Sequence, residues 1–187
     1  MSKLPVSPGA LAGIRVVDLS RILGGPFCGQ ILGDHGADVL KIEPPQGDDT
    51  RTWGPPFKDG VASYYFGLNR NKRSVVLDLR NQTGQAVFKR LVEGVDVVVE
   101  NFRPGVMDRL GAGYEKVRSI NPRAVYCSVS GYGQDGPYSQ MAGHDINYIS
   151  FAGALGLIGP ENGRPAIPLN LIADYAGGGL CGAVGIL

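Results

Sequence analysis

Cysteine is scarce in this chain of 187 residues: Cys28, Cys127 and Cys181 are far apart, odd in number and never in a Cys-x-x-Cys spacing. That excludes a disulfide framework and a structural zinc site, and a reducing cytoplasm fits best. Net charge is almost absent too, with 18 Lys and Arg against 17 Asp and Glu, a formal +1. Such a balance gives no long-range field to draw nucleic acid or an anionic membrane, so an anionic ligand has to be held by local groups. No apolar run reaches the roughly 18 residues of a membrane span, so no membrane insertion is expected, and Met1–Ser7 lacks the apolar centre of a secretory signal. There is no Walker loop, no Gly-x-Ser-x-Gly elbow and no His-x-x-x-His pair, and no metal is expected.

Glycine, by contrast, is abundant, at 29 residues, and punctuates the ends of the expected elements at Gly24–Gly25, Gly131, Gly133, Gly136 and Gly177–Gly179. Ile14–Leu19 reads as a buried strand, Pro26–Asp34 as a helix with proline in its first turn, and Asp38–Glu43 as a second strand, which together make a βαβ unit. Strands are expected again at Ser74–Leu79, Val95–Asn101 and Ala124–Ser130. Between them fall helices at Gln82–Glu93, Val106–Leu110 and Glu115–Ile120. This alternation predicts an α/β fold, a parallel sheet with flanking helices, in one domain spanning 1–187. Residues 44–63, rich in Pro, Gly and Asp, read as a long loop of the kind that often carries function. The apolar run Leu180–Leu187 has no capping glycine and no proline stop, which reads as a helix cut inside an element near 174–187, the N-terminal portion of a longer protein.

Gly131-Tyr-Gly-Gln-Asp-Gly136 follows an expected strand and matches Gly-x-Gly-x-x-Gly, so a dinucleotide-binding oxidoreductase has to be considered. The context fails, because the downstream segment is loop-like and offers no strand ending in Asp or Glu about 20 residues later. In the first βαβ unit, Pro26 stands where a pyrophosphate-approaching glycine belongs. Arg70, Lys72 and Arg73, with Arg80, Arg103 and Arg109, form either a multi-phosphate grip or a solvated surface.

His144, one of two histidines, and Asp174 each lie among small or apolar neighbours and are joined by a Gly- and Pro-rich segment that a fold could bend into one pocket. An imidazole and a carboxylate facing a carbon from opposite sides could act as base and acid, each worth about 10²- to 10⁴-fold. Taken singly, Asp174 is also a plausible helix N-cap and His144 a hydrogen-bonded, half-buried histidine.

Read together, Asp18–Pro26, Gly36–Glu43, Asn69–Leu79, Glu100–Gly105 and Gly131–Pro137 resemble the family III CoA-transferase superfamily (CaiB/BaiF-like), which includes the α-methylacyl-CoA racemases. The resemblance implies a Rossmann-like CoA-binding domain, a second domain missing from this chain, and an intertwined homodimer with its active site at a subunit contact. It implies an acyl-CoA substrate, with coenzyme A as part of that substrate and no tightly bound cofactor. CoA contacts carry over onto Leu23, Gly24, Leu77, Asp78, Leu79, Arg80, Asn101, Phe102, Arg103, Arg109, Ala142, Gly143 and Asp145. Gly143-His-Asp-Ile-Asn-Tyr148 and Pro168 to Gly179 look like the racemase branch, where the residues matching His144 and Asp174 are the two α-proton bases. In transferases the residue matching Asp174 is the nucleophile, and the position of His144 usually has no histidine. The insert from Gly47 to Phe66 looks more like the transferases. A catalytically silent CoA-binding fragment is a third possibility. Under the racemase reading, the main-chain amides at the start of the Asp174 helix are expected to stabilise an enolate oxygen.

Overall fold

A computed structural model describes residues 9–187, so Met1–Ser7 lies outside the described residues. The chain opens with strand β1 (Arg15–Asp18), helix α1 (Gly24–Asp34) and strand β2 (Asp38–Glu43). A 3₁₀ turn (Asp49–Thr52), a hairpin of β3 (Phe57–Lys58) and β4 (Val61–Ala62), and helix α2 (Ser63–Asn69) lead to β5 (Lys72–Val76). Helix α3 (Gln82–Val92), strand β6 (Val97–Glu100), helices α4 (Val106–Arg109) and α5 (Tyr114–Ile120), and strand β7 (Val125–Ser128) complete the sheet region. Helix α6 (Asp145–Phe151), a π-helix (Leu171–Leu180) and α7 (Cys181–Ile186) follow.

Five strands form one parallel sheet in the order β5-β2-β1-β6-β7. Helices cover both faces, so the central strands are apolar on both sides: Val16, Val17, Val97, Val98 and Val99 are all buried. Alternate valines serve opposite cores. Val17 and Val98 pack with Phe88, Val92, Met107 and Val117 beneath α3 and α5, whereas Val16, Val97 and Val99 pack with Cys28, Leu32 and Ala183 beneath α1 and α7. The direction of strand addition reverses between β1 and β6, and in such sheets ligands bind in the crevice beyond the carboxyl ends of the strands at that reversal.

The structure corrects several sequence expectations. The third sheet strand runs Lys72–Val76 and not Ser74–Leu79: it pairs with β2 only as far as Glu43, and Leu77 N–H closes the ladder on the Glu43 carbonyl. The basic residues Arg70, Lys72 and Arg73 at its start are each already paired with a carboxylate. Lys72 is buried on Asp18 (2.8 Å), while Arg70 pairs with Asp34 and Arg73 with Asp38 (2.7 Å). Residues 44–63 are not an open loop, since Asp48 caps the 3₁₀ turn by accepting from Thr50 N–H and the hairpin follows. The segment after Gly136, expected as loop, contains α6.

A buried ionic network underlies the carboxyl ends of the strands. Lys72 also donates to the Pro26 carbonyl and to Asn69, and Lys41 bridges Asp48 (2.9 Å) and the Ser20 carbonyl (2.8 Å). Glu43 accepts from both arms of Arg51 (2.7 Å each), from Tyr65 and from Asp48 N–H. Burial alone would raise the Glu43 pKa, but these donors hold it well below the usual carboxylate range.

Candidate active site

The crevice at the sheet reversal opens into a cavity of about 1140 Å³. Its floor is the turn between β1 and α1, from Arg21 to Gly24. One wall is Asn101–Pro104 with Val106 and Arg109, another is Cys127–Tyr132, and the Ser139–His144 segment, Tyr148 and the 171–182 helices close the rest. The floor is strained where it matters: Ile22, β-branched, sits at φ 72°. A non-glycine residue in this region costs about 1–3 kcal/mol and persists only where its surroundings hold it.

His144 and Asp174 both line this cavity. His144 stands at the N-terminal end of α6 in extended backbone, its own N–H donated to the Asn147 side chain (2.9 Å), and its ring is exposed to the cavity. Asp174 is half-buried in the first turn of the π-helix, so it is not that helix's N-cap; Asn170 precedes the helix. Burial pushes the Asp174 carboxyl up to about 6; the charge of Asp145 adds to the rise and His144 opposes it.

Leu23, Gly24, Asn101, Phe102, Arg103, Arg109, Ala142 and Gly143 line the same cavity. Arg103 and Arg109 have no carboxylate partner among the described residues and are free to meet an anion. Leu77, Asp78, Leu79 and Arg80 lie elsewhere, in a smaller pocket of about 200 Å³ with Leu19, Lys41 and Glu43; Arg21 and Phe102 belong to both cavities. The Arg21 guanidinium stacks over the Phe102 ring at 5.2 Å. Arg80 is held by Asp78 (2.9 Å).

Asp145 does not line the cavity. Its side chain is buried and accepts from the main-chain N–H groups of Ala173 (2.6 Å) and Asp174 (2.8 Å). The amides expected to hold an enolate oxygen are therefore occupied by a carboxylate, and that expectation is withdrawn.

Sequence reasoning missed Tyr132 and Tyr148, whose rings meet edge to face at 5.0 Å on the cavity wall. The position of Tyr148, four residues after His144 on α6, was the available signal. It also missed that Cys28 and Cys127, distant in sequence, belong to one core cluster, with both cysteines free. Among the described residues no group of three or more His, Cys, Asp or Glu could hold a metal ion, and no helix is long and apolar enough to cross a membrane.

Residues 11–187 match the model of CoA-transferase family III. The chain is 46% identical over 169 residues to succinyl-CoA:glutarate CoA-transferase of Homo sapiens, covering 90% of this chain and 39% of that protein. It is 44% identical over 178 residues to the alpha-methylacyl-CoA racemase of Homo sapiens, covering 95% of this chain and 43% of that protein. The structure of a CAIB/BAIF family protein from Brucella suis superposes with a TM-score of 0.89 at 43% identity, over 96% of this chain and 48% of the other. The chain thus spans less than half the length of these relatives.

Proposed function

We propose that this chain, which belongs to CoA-transferase family III, acts on acyl-CoA thioesters and racemises a 2-methylacyl-CoA by proton transfer through His144 and Asp174. The observation that carries this reading is that an imidazole and a carboxyl of raised pKa share one cavity. Arg103 and Arg109 meet the phosphates of coenzyme A with charge-assisted hydrogen bonds. The nucleotide end runs past Arg21 and Phe102 towards the Leu77–Arg80 pocket, and the thioester lies over Gly24 and Gly143, where the absence of side chains allows close approach.

The thioester acidifies the α-carbon, so the reaction requires no tightly bound cofactor. Neutral His144 removes the α-proton from one face while protonated Asp174 delivers a proton to the other, and the roles exchange for the opposite enantiomer. Burial raises the proton affinity of Asp174, which suits a carboxyl that must hold a proton in one direction of the reaction and take one in the other. The protein works as an intertwined homodimer in the cytoplasm.

The experiment is isotopic. A 2-methylacyl-CoA incubated in D2O with the natural protein gains deuterium at the α-carbon, and an added carboxylic acid receives no CoA. Transfer of CoA with an unexchanged α-carbon overturns the reading.

That outcome would establish the second reading, which 46% identity to a named CoA-transferase favours. In it the Asp174 carboxylate attacks the thioester carbonyl, the C–S bond breaks, CoA leaves as thiolate, and a mixed anhydride remains on the enzyme. That route gives the imidazole no proton to take from carbon. Binding of CoA with neither exchange nor transfer marks a catalytically silent CoA-binding chain.

A further inference from the structure

Asp145 joins the two halves of the site. In sequence it follows His144, and in space its Oδ2 holds two successive amides, Ala173 at 2.6 Å and Asp174 at 2.8 Å. The residue is 3% exposed, and its Oδ1 is buried with no hydrogen-bond partner. No cation pairs with it among the described residues. A buried charge without a counter-ion is unfavourable, and an asparagine of the same shape offers the same amides an oxygen. The negative charge therefore calls for a reason of its own.

We infer that Asp145 is a positioning residue for proton transfer: it clamps the helix bearing Asp174 to the helix headed by His144 and sets a fixed negative charge beside the Asp174 carboxyl. This rests on the acyl-CoA reading above. The titratable groups facing Asp174 are His144, Asp145 and Tyr148 from α6 and Tyr64 from α2. Among them Asp145 raises the proton affinity of Asp174, reinforcing burial, and His144 lowers it. Without the clamp, nothing else bonds the N–H groups of Ala173 and Asp174 among the described residues, and α6 is free to shift its head relative to the π-helix.

Two substitutions separate geometry from charge. Asp145→Asn keeps an oxygen for both amides and removes the charge, whereas Asp145→Ala removes both. In the natural protein, Asp145→Asn keeps KM within about twofold and moves the acidic limb of the kcat profile down by about one pH unit, in the direction where Asp174 takes the proton. Asp145→Ala lowers kcat by about 10- to 100-fold through lost alignment and speeds hydrogen exchange at the Ala173 and Asp174 amides. An unmoved pH limb in the asparagine variant, with unmoved amide exchange in the alanine variant, overturns the inference. If Asp145→Ala does not fold, the asparagine variant decides alone. Amide exchange is read without substrate, so the two failures are distinguishable. Loosened amides in a protein that leaves the α-proton in place reject the acyl-CoA reading and keep the clamp. Unmoved readouts in a protein that does exchange the α-proton reject the clamp only.

Discussion

Gly24 and Gly178 meet backbone to backbone: a Cβ on Gly178 would stand 3.3 Å from the Gly24 Cα, and one on Gly24 would stand 3.3 Å from the Asp174 carbonyl oxygen. Helix α1 and the π-helix cross at this point, and the next glycine, Gly179, abuts the Phe27 ring, where a Cβ would come within 2.3 Å. Gly178 and Gly179 thus form a packing surface that seats the helix bearing Asp174 against α1.

Gly178→Val should therefore lift the π-helix off α1 and displace Asp174. The expected outcome is a protein of near-native far-UV CD whose kcat falls by about 100-fold, since a shift of about 1 Å in a reacting group costs that much. Steady-state kinetics beside a CD spectrum checks it, and wild-type kcat would refute the packing account.

Lys72 is the buried counter-charge of Asp18, with side-chain exposures of 1% and 0%. Lys72→Met leaves Asp18 uncompensated and is expected to destabilise the chain by about 3–5 kcal/mol. Adding Asp18→Asn recovers much of the loss. Urea denaturation of the two variants measures this, and equal stabilities for single and double variants would contradict the pairing.

Asp174 has a folded-state pKa raised to about 6 from an ordinary 3.8. Between those values the folded state keeps a proton that the unfolded state releases, so this group's contribution to stability declines as pH rises from about 4 to 6 and stays low above that. Asp174→Asn lacks the ionisation. The variant's Tm advantage over wild type should thus be larger at pH 7 than at pH 4, while catalysis is lost at both. Differential scanning calorimetry at the two pH values decides, and a constant difference rejects the raised affinity.

Cys127 and Cys181 line the cavity, and Cys181 is exposed. Saturating acyl-CoA should slow alkylation of Cys181 by iodoacetamide by about tenfold or more, as mass spectrometry of the labelled peptides would show. Labelling indifferent to acyl-CoA would place the ligand elsewhere.

Much of this architecture was readable in the chain. The runs Val16–Val17 and Val97–Val99 read as strands and are buried on both faces, and the helix starts read at Pro26 and Gln82 lie within two residues of those in the structure. His144 and Asp174 stood out as ionisable groups among small neighbours. What the sequence hid depends on distant partners. Nothing local says that Lys72 belongs inside the sheet, because its justification, Asp18, lies on another strand. Asp145 looked like a ligand contact for the same reason: the amides it holds come from a segment far along the chain. A helix at Asp174 was expected, but its start at Leu171 and its π form were not, since glycines at 177–179 weaken any helical pattern and the use of Gly178 and Gly179 is apparent only once α1 lies against them.

The crossing of α1 with the π-helix also bears on how the molecule comes into being. All five strands of the sheet lie between Arg15 and Ser128, so that layer can assemble while Asp174 is still unsynthesised or unbound. Until then Phe27, whose eventual companion is Tyr175 at 4.7 Å, has no cover on that side. Loop closure over so long a separation is slow and leaves a greasy helix face bare in the interim. A nascent chain stalled short of the glycine triplet would be a ready client for chaperones, with its sheet already built and its reaction chamber still lacking a side.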